Sequence, residues 1–225
     1  PFTDAVAKVR SSVVGVSNYQ NVTYSNYSNG WGYGWGNSRG DNSTTTQEVK
    51  ASTGSGVVIA QNYVLTNYHV VADAVKITVD TETDSYDATL AAYDENVDVA
   101  VVYVPNLPLA AVEVGDSDTL QVGDWAICIG NPISDTFNGT VTAGIISGLN
   151  REISSASTDQ YGLRTVNTNT MIQTDAAINN GNSGGGMFNV AGELIGVPSM
   201  KYTGSYYSST SVEGIGMAIP INVAK

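Results

Sequence analysis

The sequence predicts an all-β fold, built as paired β-barrels behind a short N-terminal helix. Three observations carry that reading. Short runs rich in Val, Ile and Tyr alternate with Gly, Asn and Asp breaks, the mark of strands joined by tight turns. These runs fall into two comparable halves on either side of the Pro-punctuated stretch PNLPLAAVEVGDSD. And 225 residues, 42% of them hydrophobic, are enough to bury one large core or two smaller ones.

Taken in order, residues 3–10 (TDAVAKVR) form the helix, with Thr3 as its cap and Ala5, Val6 and Val9 on one face. SVVGV follows as a strand. From 17 to 50 the chain has almost no aliphatic residues, so it cannot bury itself and is expected to be a mobile loop. Its Trp31, Tyr33 and Trp35 are the groups through which such a loop would make contacts. GSGVVIA, YVLTNYHVV and AVKITVD are three strands, and DATLAAYDENVDVAVVYV two more that turn at Asp94-Glu95-Asn96. The N-terminal barrel thus covers about 11–105. The C-terminal one, about 115–222, takes DWAICIGNP, TVTAGIISGLN, MIQTDAAI, GGMFNVAGELIGVPSM and GIGMAIPI, with polar loops at 151–170 and 201–212. Both belong to one domain, 1–225.

Composition excludes several function classes. Nine Lys and Arg stand against 21 Asp and Glu, a formal charge of −12 that repels phosphate backbones and anionic lipid. No nucleic acid is expected as a partner, and no membrane contact from this chain itself. No apolar run is long enough to span a bilayer. The single Cys128, inside DWAICIG, reads as a small core residue, and one cysteine can form neither an intrachain disulfide nor a CxxC metal site. Neither a cofactor nor a metal is called for. The chain begins at Pro1 and carries no information on an export signal.

The chemistry centres on Gly181-Asn182-Ser183-Gly184-Gly185. A hydroxyl is a useful nucleophile when it stands on a tight turn beside donors for a developing oxyanion, and glycines supply that turn. Gly/Asn/Ser surface turns are common, so the motif gains meaning only from its company. His69, the one histidine, lies at the end of the apolar strand in VLTNYHVV, the place for a general base. The base needs an orienting carboxylate. Asp98, between Val97 and Val99, is costly to bury without a hydrogen-bonding partner, whereas Asp94 and Glu95 sit in the polar turn before it. The order His69, Asp98, Ser183 puts the nucleophile in one half and its helpers in the other, with the site in the cleft between.

TNYHVV, DVAVVYV, VGDWAICIGNP, TVTAGIISGL, QTDAAINNGNSGG, GELIG and GIGMAIP, in this order, resemble the HtrA/DegP family of trypsin-like serine proteases. The resemblance implies two six-stranded antiparallel barrels and an extracytoplasmic serine endopeptidase of protein quality control (periplasm, cell envelope or secreted). Its substrates would be unfolded polypeptides, and its assembly a homotrimer with Phe2 at the contact. His69 would be the base, Asp98 its orienter and Ser183 the nucleophile. The oxyanion hole would fall on Gly181, Asn182 and Ser183, with the Gly181 and Ser183 amides as donors. Ala177 and Ile178 would line an uncharged specificity pocket selecting small aliphatic residues, and Val197, Pro198, Ser199 and Met200 the strand that pairs with substrate. Pro198 departs from that pattern, since it has no N–H to offer. A PDZ domain, usual in the family, is not expected among these residues. Asn182 stands where zymogens activated by a freed N-terminus carry Asp, so gating is expected to rest on the loops 131–140, 151–170 and 201–212 instead. Two other readings use the same fold. Glutamyl endopeptidases employ a second histidine that this chain lacks, and a gated chaperone or binding module would have no need of all three catalytic residues.

Overall fold

The computed structural model describes residues 2–25, 44–131, 139–158, 164–179, 181–199 and 214–225. The helix α1 (Phe2–Val9) begins one residue ahead of Thr3, which is therefore inside it rather than its cap. Ala5 and Val9 are buried and Val6 packs beside them, the face expected from their spacing. Lys8 ties the helix to the second half of the molecule, through Glu113 at 2.6 Å and the Ala191 carbonyl at 3.1 Å.

The first sheet is a closed barrel of β1 (Val13–Ser25), β2 (Thr44–Ala60), β3 (Tyr63–Thr66), β4 (Lys76–Asp80), β5 (Ser85–Asp94) and β6 (Val99–Tyr103). Its strand order is β1-β2-β3-β6-β5-β4. Val14, Val16, Val58, Val64, Val79, Ala100 and Val102 fill it, each at most 1% exposed. Branched residues at alternate positions can fill so narrow an interior. Much of the stretch expected as a loop at 17–50 is strand. β1 and β2 stay paired from Val13↔Val57 out to Ser25↔Thr44, past a register shift at Asn18/Tyr19. A two-stranded ribbon rich in Thr and Tyr is held by its ladder and cross-strand pairs, so the lack of aliphatic residues does not prevent it. Trp31, Tyr33 and Trp35 lie outside the described residues.

The second half holds β7 (Glu113–Val114), β8 (Trp125–Gly130), β9 (Thr140–Thr158), β10 (Arg164–Thr174), β11 (Gly186–Phe188), β12 (Glu193–Pro198) and β13 (Gly216–Pro220). They form a seven-stranded sheet in the order β11-β8-β9-β10-β13-β12-β7, in which β11 also pairs with β12. One closed six-stranded barrel is thus present as expected, and the second half differs from six antiparallel strands in that β7 adds a seventh, parallel to β12. The expected loop at 151–170 is likewise mostly strand, the two arms of a β9–β10 hairpin paired from Met171↔Arg151 to Arg164↔Thr158. Alternating Thr, Asn and Val in TVNTNT suits such an exposed ribbon as well as it suits a loop, and pattern alone does not separate the two. The loop at 201–212 lies outside the described residues.

Val57, Leu65 and Val99 from the barrel pack with Ile127, Ile129, Phe188 and Leu194 from the second sheet, and Ala5 and Val9 of α1 join them. This seam fixes one half against the other. Cys128 is buried as expected, and burial pushes its thiol up to about 12. Among the described residues, no helix is long and apolar enough to cross a membrane.

Candidate active site

β3 ends at Thr66, and His69 lies just beyond it in the one-turn helix α2 (Tyr68–Val71) rather than in the strand. Val70 and Val71 are buried under that turn, which anchors it while leaving the imidazole about one-third exposed, at 35%. Asp98 stands at the entry to β6 with φ of +61°, a left-handed conformation that Asp tolerates better than most residues. Its carboxylate is wholly buried.

That burial is compensated donor by donor. Asp98 Oδ1 accepts from the His69 amide at 2.9 Å, and Oδ2 lies 2.7 Å from His69 Nδ1 and accepts from Ser199 Oγ at 2.9 Å. The Asp98 carbonyl accepts from Asn67 Nδ2 at 2.9 Å and from the Tyr68 amide at 3.2 Å. With Nδ1–H turned to the carboxylate, Nε2 is the acceptor that faces outward. Asp94 does something else: exposed at the end of β5 rather than in the turn, it accepts from the Asn96 amide at 2.8 Å.

The turn carrying Ser183 is pinned to the barrel. Ser183 is 4% exposed, and its carbonyl accepts from the Ser55 amide of β2 at 2.8 Å. The Gly184 amide donates to the Pro198 carbonyl at 3.0 Å, one residue before the Ser199 that holds Asp98. Gly184 has φ of +82°, and a side chain there would run into the Ser55 carbonyl and Thr66 Oγ1. Only glycine permits both that conformation and that approach. Thr66 in turn donates to the Ser55 carbonyl at 2.7 Å, three residues before His69. Two chains of contact, through Ser55–Thr66 and through Pro198–Ser199, therefore bring the Ser183 turn to the elements that carry His69 and Asp98.

Around the oxyanion turn, the Asn182 amide donates to the Asn179 carbonyl at 3.0 Å, so that donor serves the turn itself. The Asn182 side chain reaches the Ala177 carbonyl from Nδ2 at 3.4 Å, while its Oδ1 is buried without a partner among the described residues. Ala177 is exposed, and its carbonyl also accepts from Thr142 Oγ1 at 2.9 Å. Ile178 is half-buried and lies over Gly216 of β13. Val197 and Pro198 are buried in the sheet, opposite Ile219 and Ala218. Ser199 is buried too, and its hydroxyl donates to Asp98. Met200 is outside the described residues. Sequence reasoning missed Ser55, which reads in GSGVVIA only as a polar interruption of a strand. A serine held between two glycines in an otherwise apolar run was the available signal.

Comparison with known proteins points to one family. The profile of the family described as Trypsin-like peptidase domain matches residues 54–197. The serine protease Do-like HtrA of Lactococcus lactis subsp. lactis is 41% identical over 228 residues, covering 98% of this chain and 54% of that protein. The serine protease Do-like HtrB of Bacillus subtilis is 40% identical over 231 residues, 98% of this chain and 45% of the relative. A probable periplasmic serine endoprotease DegP-like of Rickettsia prowazekii is 44% identical over 175 residues, 76% of this chain and 32% of its own length. The chain thus spans about half the length, or less, of these curated relatives. Among solved structures, the HtrA-type protease AlgW with decapeptide superposes with a TM-score of 0.71 at 32% identity, over 100% of this chain and 65% of that one. The form with tripeptide gives the same score and identity over 100% and 61%. The buried carboxylate on a lone histidine and the glycine-framed serine thus occur in a chain that belongs to the trypsin-like peptidase family, in its HtrA/DegP branch.

Proposed function

We propose that this chain is the proteolytic unit of an HtrA/DegP-type serine endopeptidase acting on unfolded or damaged polypeptides. The observation that supports it most is the Asp98 carboxylate, wholly buried yet bonded to His69 and Ser199. A buried charge of that kind is expensive unless its orientation of the imidazole is put to use. In this reading Ser183 Oγ attacks the scissile carbonyl while His69 Nε2 takes its proton. The Gly181 and Ser183 amides receive the oxyanion. Asn182 supports the turn, since its own amide is taken by Asn179. The tetrahedral intermediate collapses to an acyl-enzyme as His69 returns the proton to the leaving amine. Water, deprotonated by the same imidazole, then releases the acyl group and restores Ser183.

Several finer statements go with this reading. The β11–β12 pairing supports a second six-stranded barrel made of β8 to β13, with β7 outside it. Ala177 and Ile178 bring no charge to the specificity pocket, which supports cleavage after Val, Ala or Ile; a peptide library selecting Arg, Lys or Glu would oppose it. Relatives named periplasmic support an extracytoplasmic location. The homotrimer with Phe2 at its contact rests on the family resemblance, while within one chain Phe2 lies edge-on to the half-exposed Trp125 at 4.8 Å; light scattering at monomer mass would oppose the trimer. Gating of activity is assigned in this reading to the segments 131–140 and 201–212 and to the β9–β10 hairpin that takes the place of the expected loop 151–170.

The deciding experiment is labelling of Ser183 by a fluorophosphonate, alongside hydrolysis of casein. Wild type should label and cleave, and Ser183→Ala should do neither while melting at an unchanged temperature. A folded wild type that neither labels nor cleaves would favour the binding-module reading.

A further inference from the structure

We propose that Ser55 is the positioning residue of the oxyanion turn, holding it from the opposite half of the molecule. This rests on the endopeptidase reading above and adds to it a residue with no part in the triad. Ser55 is fully buried, and all its polar groups are engaged. Its amide donates to the Ser183 carbonyl at 2.8 Å, and its own carbonyl accepts from Thr66 Oγ1 at 2.7 Å. Its hydroxyl donates to the Gly181 carbonyl and accepts from the Asn131 amide at 2.7 Å. One side chain on β2 thereby joins the end of β8 to the turn that carries the nucleophile.

The consequence follows from the planarity of the peptide unit. The two expected oxyanion donors, the amides of Gly181 and Ser183, flank the Gly181–Asn182 peptide. That peptide is clamped at both faces: its carbonyl by Ser55 Oγ and its N–H by the Asn179 carbonyl at 3.0 Å. Across it, Gly181 with φ of +99° carries one donor, in a conformation in which its peptide can turn over with little steric resistance. On the other side, the Asn182 carbonyl is taken by the Gly185 amide at 3.0 Å, which directs the Ser183 N–H the opposite way. Among the described residues, Ser55 thus supplies the side-chain restraint on the Gly181 carbonyl, in the part of the turn where glycine gives least resistance.

The hydroxyl's second bond ties the turn to the end of β8. The Asn131 amide that binds Ser55 belongs to a residue whose Oδ1 accepts from the Gly139 amide at 2.7 Å. Asn131 and Gly139 bracket 132–138.

The test compares Ser55→Ala, Ser55→Cys and, as a stability control, Ser17→Ala, which removes a buried hydroxyl bonded to Asp80 at 2.7 Å elsewhere in the barrel. Turnover of a peptide, affinity for a peptidyl boronate that mimics the tetrahedral intermediate, and thermal unfolding are measured on each. Ser55→Ala should lower kcat about 10- to 100-fold with KM little changed, below the roughly 10²–10³ that follows loss of a whole oxyanion donor. Boronate affinity should fall by the same factor, and the acid limb of the pH–rate profile should stay where wild type has it, because the His69–Asp98 pair is untouched. Ser55→Cys, with a weak donor of similar shape, should fall between, and it carries the test if Ser55→Ala does not fold. A rise in KM at constant kcat, boronate binding equal to wild type in the Ala or Cys variant, or a loss no larger than that of Ser17→Ala overturns the proposal. Wild type inactive alongside Ser183→Ala overturns the endopeptidase reading itself, a different result from an active wild type with an indifferent Ser55.

Discussion

Replacing Asp98 by Asn changes one atom in a site where each oxygen has an assigned donor. Oδ2 takes the Ser199 hydroxyl at 2.9 Å and faces His69 Nδ1 at 2.7 Å, while Oδ1 takes the His69 amide at 2.9 Å. An amide offers one acceptor oxygen and one NH2 group. If its oxygen faces Nδ1, the NH2 opposes the His69 backbone N–H, donor against donor. If it turns over, the NH2 faces Nδ1 and forces the ring proton onto Nε2, where Ser183 needs an acceptor. Ser199 must also rotate its hydroxyl. The second arrangement keeps the backbone hydrogen bond and should prevail. The corresponding change in a trypsin-like triad costs about 10⁴ in kcat, or ~5.4 kcal/mol in the barrier. The lost and mismatched hydrogen bonds should cost roughly 1–3 kcal/mol of folding stability. Single-turnover acylation of a chromogenic ester and a urea unfolding curve measure the two separately. Turnover within tenfold of wild type, or a comparable loss in Asp94→Asn, would refute the assignment of the carboxylate.

Other outcomes follow from the same contacts. Gly184→Ala must place a methyl against the Ser55 carbonyl and Thr66 Oγ1 at a left-handed φ of +82°, so it should cost about 2–5 kcal/mol and lower the urea midpoint sharply; a midpoint within error of wild type would contradict the packing described. The hydrogen bond from Lys8, with its charge, holds the Glu113 carboxyl below the usual carboxylate range. The small stability from this exposed pair is present above the unfolded-state value and is lost as pH falls through the lowered one. Lys8→Ala should move the Glu113 carboxyl up toward its ordinary value by carbon-detected NMR titration, and a Glu113 curve that stays put would show the pair to be idle in solution.

Much of this protein is legible from local pattern, because strands and turns are local phenomena. The alternation in SVVGV and AVKITVD and the apolar run of DWAICIG each place a strand, and the spacing of Ala5 and Val9 places a helix face. The three catalytic candidates were legible for a related reason. Each is a residue whose neighbours make it costly or peculiar: a lone histidine after an apolar strand, a carboxylate inside a valine run, a serine framed by glycines. What a hydrophobic pattern cannot report is which polar ribbon finds a partner strand. The segments 17–25 and 164–170 read as loops, yet they pair because a facing strand satisfies their backbone groups whether or not their side chains are apolar. Nor does a sequence reveal the target of a single hydroxyl. Nothing local marks the bond from the Ser199 hydroxyl to Asp98, 101 residues away, or that from the Ser55 hydroxyl to Gly181, 126 residues away. Such bonds depend on how the barrel and the second sheet are seated against each other. The candidate reacting groups can therefore be picked out from the chain, while the restraints that would aim them exist only once the two halves have packed.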